Sequence, residues 1–556
     1  MGLQHRSAPD RVTRVVGAVG DWDQDVLARA VGGAGGGMRE QVRRPRAALW
    51  ADRTPIAYAS GGYCWAPLAP GGSPTSWTSA AEERLAAGLF TSDGTALVHT
   101  CAWGLQSIYV RIHGGAAYFA NRIGPLLDLV DEPLHTDWDA WAAILAFGAP
   151  QGGATPFVEI RRLQGGQVID GSAAPAVREF VPGHVSVEPS AGSARDPARV
   201  GLLVAQGVPR GRPLRRAPLD ITLSGGWDSR LLAGLATRRY RGPIHAWTTS
   251  HDDGRDDDLA LAPAVADALG LHHHVVVPGP EAWAEGRAAV LERVEHETWL
   301  HTWLWPLAQD LHQRRLPLLD GLGGDVLFKN LFVADPVIDA PTRGAAMDLV
   351  LTTLMQGIGR RPEVLASQAA AWLPDAARAA ARAGAARVLD APAGITLAVL
   401  ELRTVRAIAA SPLRLFGPEC DVRLPFFQPE AVRAALAIPL PDKSNGAYYR
   451  ALLSAAISPE VMALTSTNDP RPPRPEAPRR HASAQARELL RRSVSADEAV
   501  LDMIAPAIRD HLRDPDKALE VTRRAPVLRL LQTVSVLADW RALHRSRLVD
   551  EAPPWT

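Results

Sequence analysis

Lysine is nearly missing from this chain of 556 residues: among 60 basic side chains only Lys329, Lys443 and Lys517 are lysines, and the rest are arginine. With abundant alanine, 47 glycines and 45 prolines, that skew reads as the drift of a GC-rich coding sequence. A lysine that persists against such drift is worth following, because a compact ammonium does what arginine's planar fork cannot. A surplus of either charge is missing too. Sixty acidic residues balance the basic ones and the arginines are scattered, so nothing draws the chain to nucleic acid or an anionic membrane. Cysteine is scarce: Cys64, Cys101 and Cys420 are odd in number and far apart, which excludes a disulfide framework or zinc cluster and suits a reducing cytoplasm. Long apolar runs are absent, and the first thirty residues are broken by Arg6, Asp10, Arg11, Asp21 and Asp23, so neither a membrane span nor a secretion signal is expected.

What is present is an ordinary globular composition, 47% hydrophobic and 22% charged, over a length too great for one core. Two or three domains are expected. Residues 1 to about 185 carry short strand-like stretches (Ala47 to Trp50, Thr95 to Thr100, Ser107 to Ile112, Ala116 to Ala120) between glycine turns, the texture of a packed β domain with a few helices. Residues 186–199 are small and polar and read as a linker. From about 200 to 335 strands (Asp220 to Leu223, Ile244 to Thr248, His274 to Val277, Leu316 to Leu319) alternate with helical patterns such as Asp258 to Leu269. That alternation predicts a parallel, doubly wound sheet with ligands at the carboxyl ends of its strands. Residues 340–556 read as mostly helical, with a break near Pro374, helix over Ile395 to Ala410 and then a turn-rich DVRLPFFQPE (Asp421 to Glu430). Asn468 to Arg480 is too rich in proline for regular structure and predicts a mobile loop.

One motif dominates. Leu223 to Arg230 reads LSGGWDSR, between a short apolar strand and an apolar, helix-like run. Strand, glycine turn and helix start is a geometry in which backbone N–H groups converge on an anion. Gly225 and Gly226 allow close approach, Ser224 and Ser229 add hydroxyls, and Asp228 offers a carboxylate to a magnesium ion on the same phosphates. It is not a Walker A loop, since no G-x-x-x-x-G-K-[ST] occurs. A second glycine loop, DGLGGDVLF at Asp320 to Phe328, also follows a strand.

LSGGWDSR resembles the pyrophosphate loop of the ATP pyrophosphatases, and from near residue 95 to near 465 the chain resembles the asparagine synthetase family. Trp103 to Leu127 and Phe147 to Ile169 are similar to segments of that family's glutaminase domain, DGLGGDVLF to its S-G-E-G-A-D-E-L-F, and CDVRLPFF (Cys420 to Phe427) to its E-V-R-x-P-F-L. The resemblance implies residues 1–185 as a glutaminase-like α+β sandwich of the N-terminal-nucleophile type. It implies residues 200–556 as an adenylating domain, with an α/β nucleotide core at 200–335 and a mostly helical part at 340–556. Gly2 stands where the family glutaminase has its nucleophilic cysteine, so ammonia release from glutamine is not expected.

By the same resemblance, ATP and magnesium are the cofactors, with Asp228 and Asp325 as metal ligands. Leu223, Ser224, Gly225, Gly226, Ser229, Thr248, Asp258, Gly323 and Gly324 line the nucleotide, and Lys443 stands over the phosphates in competition with Arg450. Leu322 and Val326 replace two family glutamates. Relatives that close a β-lactam ring have a tyrosine at the place of Leu322, so that base is not preserved either. Together with the tryptophans of Glu295 to Leu307, suited to core or to a peptide groove, these departures look most like the lasso peptide cyclases. The implied reaction adenylates an Asp or Glu side chain of a leader-cleaved precursor peptide and joins it to the peptide's N-terminal amine. Glu401 is the candidate base, against an ordinary ion pair with Arg403 or Arg406, and a leader peptidase and a leader-recognition protein are the implied partners. The alternative is an amide ligase of the same superfamily acting on a small molecule.

Overall fold

The computed structural model describes residues 14–57, 61–65, 67–68, 74–92, 94–172, 174–190, 195–210, 217–251, 256–418, 420–469 and 483–556. Residues 15–179 form two six-stranded antiparallel sheets. Period-two alternation sorts one sheet's side chains onto two faces. Val15, Val19, Leu49 and Phe119 meet Leu89, Val98 and Ile169 of the other sheet, while Val16, Ala18, Ala48 and Tyr118 turn to the main core. Both faces are therefore buried, which is why VVGAVG (Val15–Gly20) is apolar throughout. Gly17 permits this closeness, since a Cβ there would stand 2.4 Å from the Ala48 carbonyl oxygen.

The next sheet is wholly parallel, in the order His272–Val276, Ile244–Thr249, Leu219–Thr222, Pro317–Leu319, Asp421–Arg423. From its central strand the chain moves outward through two neighbours, then returns to lay Pro317–Leu319 on the other side. The crevice at such a reversal is where open parallel sheets hold ligands. The Asp421–Arg423 strand opens the turn-rich DVRLPFFQPE, and with it the parallel sheet takes its last strand from beyond residue 335. The expected linker also gives way early, to a Pro197–Gln206 helix capped by Asp196.

The helical part departs from expectation at two prolines. Ser367–Leu389 is one continuous helix through Pro374, so the expected break is absent. The ring removes one helical N–H, and the apolar face Ala369, Leu373, Ala377, Ala381 and Ala385, packed on the Trp138–Phe147 helix, outweighs that loss. The Gly394–Val399 helix then widens into π turns over Leu400–Ile408 and Ser411–Phe416. The Ala525–His544 helix packs Trp540 at 5.1 Å from Trp141, and Trp555 lies 5.1 Å from Trp138, so the end of the chain closes on its first third. Of the Asn468 to Arg480 stretch, residues 470–480 lie outside the described residues, as does Gly2. Among the described residues no helix is long and apolar enough to cross a membrane.

A buried polar network joins the sheets of the first 180 residues to the rest. Glu297, 2% exposed, receives Tyr109 Oη at 2.7 Å, Arg414 at 2.6 Å and Arg406 at 3.4 Å. Burial alone would raise its carboxyl, but Arg414, Arg406 and Arg162 outweigh that and hold it at about 2. A depressed carboxylate stabilises the fold above its unfolded value and loses that contribution as pH falls toward the folded one. Stability should therefore drop between about pH 4.5 and about pH 2, and Glu297→Ala, which strands buried guanidiniums, should cost about 3–5 kcal/mol at neutral pH. Urea denaturation of both proteins across pH checks this. A variant as stable as the parent contradicts it.

Candidate functional site

The loop Leu223 to Gly226 leaves the central parallel strand and enters the Trp227–Arg239 helix, whose N-cap is Gly226. The helix starts at Trp227, four residues before its apolar run begins at Leu231, which places Asp228 in its first turn. Ser224 and Ser229 close the loop, their hydroxyls 2.9 Å apart with Ser229 Oγ accepting from Ser224 N at 3.0 Å. The next three backbone donors are each taken by a side-chain oxygen. Gly225 N–H donates to Asp258 Oδ1 at 2.9 Å, Gly226 N–H to Ser224 Oγ at 3.2 Å, and Trp227 N–H to Asn468 Oδ1 at 3.0 Å.

Asn468 reaches the loop because the chain before it is clamped. Arg230, buried within the same helix, donates to the carbonyls of Leu464 at 2.6 Å and Thr465 at 2.7 Å. Ser466 Oγ and Thr467 N–H then both donate to Gly225 O, at 3.0 and 3.1 Å. Thr248 holds the strand end by donating to Leu223 O at 2.8 Å.

The second glycine loop follows the neighbouring strand and faces the first. Asp320 fixes it, accepting from Thr222 Oγ1 at 3.0 Å and Leu322 N–H at 2.9 Å. Gly323 has φ +90°, and a Cβ on Gly324 would lie 2.6 Å from Asp228 Oδ1, so glycine is required for the two loops to meet. Leu322 and Val326 are buried apolar side chains and offer no proton chemistry.

Both expected metal ligands come to this crevice, each with a cation that sequence reasoning left out of the site. Asp228 Oδ2 accepts from Lys329 Nζ at 2.9 Å, and Asp325 Oδ2 from Arg403 at 3.2 Å. Burial pushes the Asp228 carboxyl up; Lys329 pulls against this and Asp325 adds to it. Asp228 Oδ1 is buried without a hydrogen-bond partner. An orphaned carboxylate oxygen beside a second aspartate suits one hard divalent ion whose remaining ligands come from a phosphate and water. Among the described residues no group of three or more His, Cys, Asp or Glu is placed to hold a metal alone.

Two further expected residues fall differently. Lys443 is 1% exposed, in a turn packed against the Gly324–Lys329 helix, and burial pulls its ammonium down to about 7. Arg450 lies over the Trp227 ring at 5.7 Å. Glu401 is not brought to the aspartates. It lines an interdomain cleft with Trp103, Arg162 and Gln164, where burial pushes it up to about 7 against the pull of Arg387, with Glu179 adding to the rise. Its supposed ion-pair partners are engaged elsewhere, Arg403 with Asp325 and Arg406 with Glu297.

Arg403 also lines a cavity of about 210 Å³ with Phe147, Gln151, Phe332, Leu354 and Gln356. Its lining mixes apolar walls with amide groups, and Arg403 links it to Asp325. Of the tryptophans, Trp299 is core, donating to Ile144 O at 3.2 Å, while Trp303 and Trp305 are half-buried.

Residues 211–395 match the protein-family profile described as asparagine synthase. The match spans both glycine loops with Asp228, Asp258 and Asp325. It supports membership of the asparagine synthetase family and points to ATP-dependent amide-bond formation. A search of the curated proteins found no match.

Two outcomes follow from this geometry. Asn468→Ala frees the Trp227 N–H, so inorganic pyrophosphate should bind a few-fold more tightly by calorimetry, as removal of a competing hydrogen bond of about 0.5–1.5 kcal/mol requires; weaker binding contradicts it. Lys443 sheds its proton near pH 7 when folded but only near 10.5 when unfolded, so its contribution makes stability rise with pH across that window. Lys443→Met should remove the rise and stabilise the protein at about pH 6 by on the order of a few kcal/mol, read by urea denaturation.

Proposed function

We propose that this protein is an ATP-dependent macrolactam synthetase of the lasso peptide cyclase type. It activates an Asp or Glu side chain of a leader-cleaved precursor peptide and couples it to the peptide's own N-terminal amine. The observation that carries the reading is the meeting of Asp228 and Asp325 at the reversal of the parallel sheet, beside a serine-glycine cradle and with Leu322 and Val326 at the family's glutamate places. The first 185 residues are read as a glutaminase-like scaffold.

A carboxylate is a poor electrophile. In the proposed reaction its oxygen attacks the α-phosphorus of ATP, pyrophosphate leaves, and the mixed anhydride with AMP forms. The amine nitrogen then attacks the acyl carbon, AMP departs with the C–O bond's electrons, and the amine proton passes to a base or solvent. The N–H groups of Gly225 and Trp227 would meet the departing pyrophosphate in place of the Asp258 and Asn468 oxygens they hold in the free protein. Asp228 and Asp325 would hold magnesium, which when bound neutralises pyrophosphate charge. Lys443, whose turn packs against the Gly324–Lys329 helix and whose ammonium burial pulls down to about 7, would take up charge as the phosphates separate. Enclosure of peptide ends in the crevice would supply positioning worth roughly 7–11 kcal/mol. A leader peptidase and a leader-recognition protein would deliver the substrate, in a cytoplasm that keeps Cys64, Cys101 and Cys420 reduced.

A second reading, an amide ligase for a small carboxylic acid, is favoured by the 210 Å³ cavity beside Arg403, which is below the usual size of a drug-sized pocket. The protein with ATP, magnesium and a linear precursor peptide should give a product lighter by one water in mass spectrometry, with AMP and pyrophosphate released. Asp228→Asn and Asp325→Asn should each lower the rate on the order of a hundredfold or more. Release of pyrophosphate with a small acid and none with the peptide would replace the first reading by the second.

A further inference from the structure

We infer that Lys329 is a pyrophosphate-binding residue, a fixed cation beside Asp228 that shares with the metal the charge of the leaving group. The inference rests on the adenylating chemistry proposed above and adds a residue to it.

Lys329 ends the Gly324–Lys329 helix, and Asn330, at φ +51°, turns the chain away immediately after it. Its side chain is 9% exposed, with Nζ 2.9 Å from Asp228 Oδ2 and 5.4 Å from the centre of the Tyr449 ring. Tyr449 in turn stacks on Trp227, the residue that opens the cradle helix. The ammonium is thus held at the cradle's edge by a carboxylate and an aromatic face. An ammonium has three donors, and the bond to Asp228 uses one.

The choice of lysine has a chemical reason. In a chain whose other cations are almost all arginine, a guanidinium here would fork across both oxygens of Asp228. It would then cover Oδ1, the oxygen without a partner and the one suited to a metal. A point charge takes Oδ2 alone and leaves Oδ1, buried and without a hydrogen-bond partner, unclaimed. One carboxylate can then hold the ammonium and a divalent ion at once, and both positive charges face the phosphates. Asp325 does not compete for Lys329, because Arg403, seated over Phe332 at 4.4 Å, satisfies it from the other side.

Calorimetric titration with inorganic pyrophosphate, in EDTA and in magnesium, separates this role from a merely structural ion pair. The parent should bind in both media. Lys329→Met should lose roughly tenfold or more in EDTA, as loss of a hydrogen bond to a charged group implies, and less in magnesium. Lys329→Arg should retain binding in EDTA and weaken Mn²⁺ binding, followed by electron paramagnetic resonance, because its fork covers Oδ1. Should Lys329→Met fail to fold, Asp228→Asn is compared with Asp228→Asn/Lys329→Met, and only the double variant should lose binding in EDTA. A folded Lys329→Met or double variant that binds metal-free pyrophosphate like its reference overturns the inference alone. A parent that fails to bind pyrophosphate even with magnesium overturns the proposed function with it.

Discussion

The pairing of Leu219–Thr222 with Pro317–Leu319 is the constraint on which the candidate site depends. Parallel strands that share an edge must end at the same side of the sheet, so two loops nearly a hundred residues apart are delivered to one crevice without any contact of their own. Each loop then needs only small residues to approach the other. Gly324 against Asp228 marks how near that approach is, and Asp320, tied to Thr222 across the pair, fixes the second loop relative to the first.

Around this crevice charges come in matched sets. Asp228 with Lys329, Asp325 with Arg403, and Glu297 with Arg406 and Arg414 are all at least partly buried, and each would be costly if one partner were missing. Ion pairs of this kind specify geometry more than they add stability. The π turns of Leu400–Ile408 carry both Arg403, aimed at Asp325, and Arg406, aimed at Glu297, so one segment ties the crevice to the interface with the antiparallel sheets.

Local signals in the sequence were legible and distant partnerships were not. LSGGWDSR announces a strand, a loop and a helix start because each step has its own residue chemistry, and strand alternation at Ala47–Ala51 and Ala116–Ala120 is equally local. The three-residue strand Asp421–Arg423 carries too short a pattern to stand out from the turn-rich DVRLPFFQPE that it opens. Pro374 misleads because propensity counts its missing donor and not the packed face beneath it. Lys329 is separated from Asp228 by 101 residues and Asn468 from Trp227 by 241, distances over which no periodicity speaks. The rarity of lysine hinted at the first; nothing hinted at the second. Glu401 shows the converse, a carboxylate chosen for its type whose environment faces another cleft.

Arg230 gives the cradle a mechanical property. Because its guanidinium grips the carbonyls of Leu464 and Thr465 while Ser466 and Thr467 grip Gly225, the backbone on either side of the loop moves as one piece with the helix. Asn468 is the first side chain past that grip whose oxygen occupies a loop donor. Exchange of this oxygen for one belonging to an incoming anion therefore needs rotation about a few torsions rather than displacement of a segment.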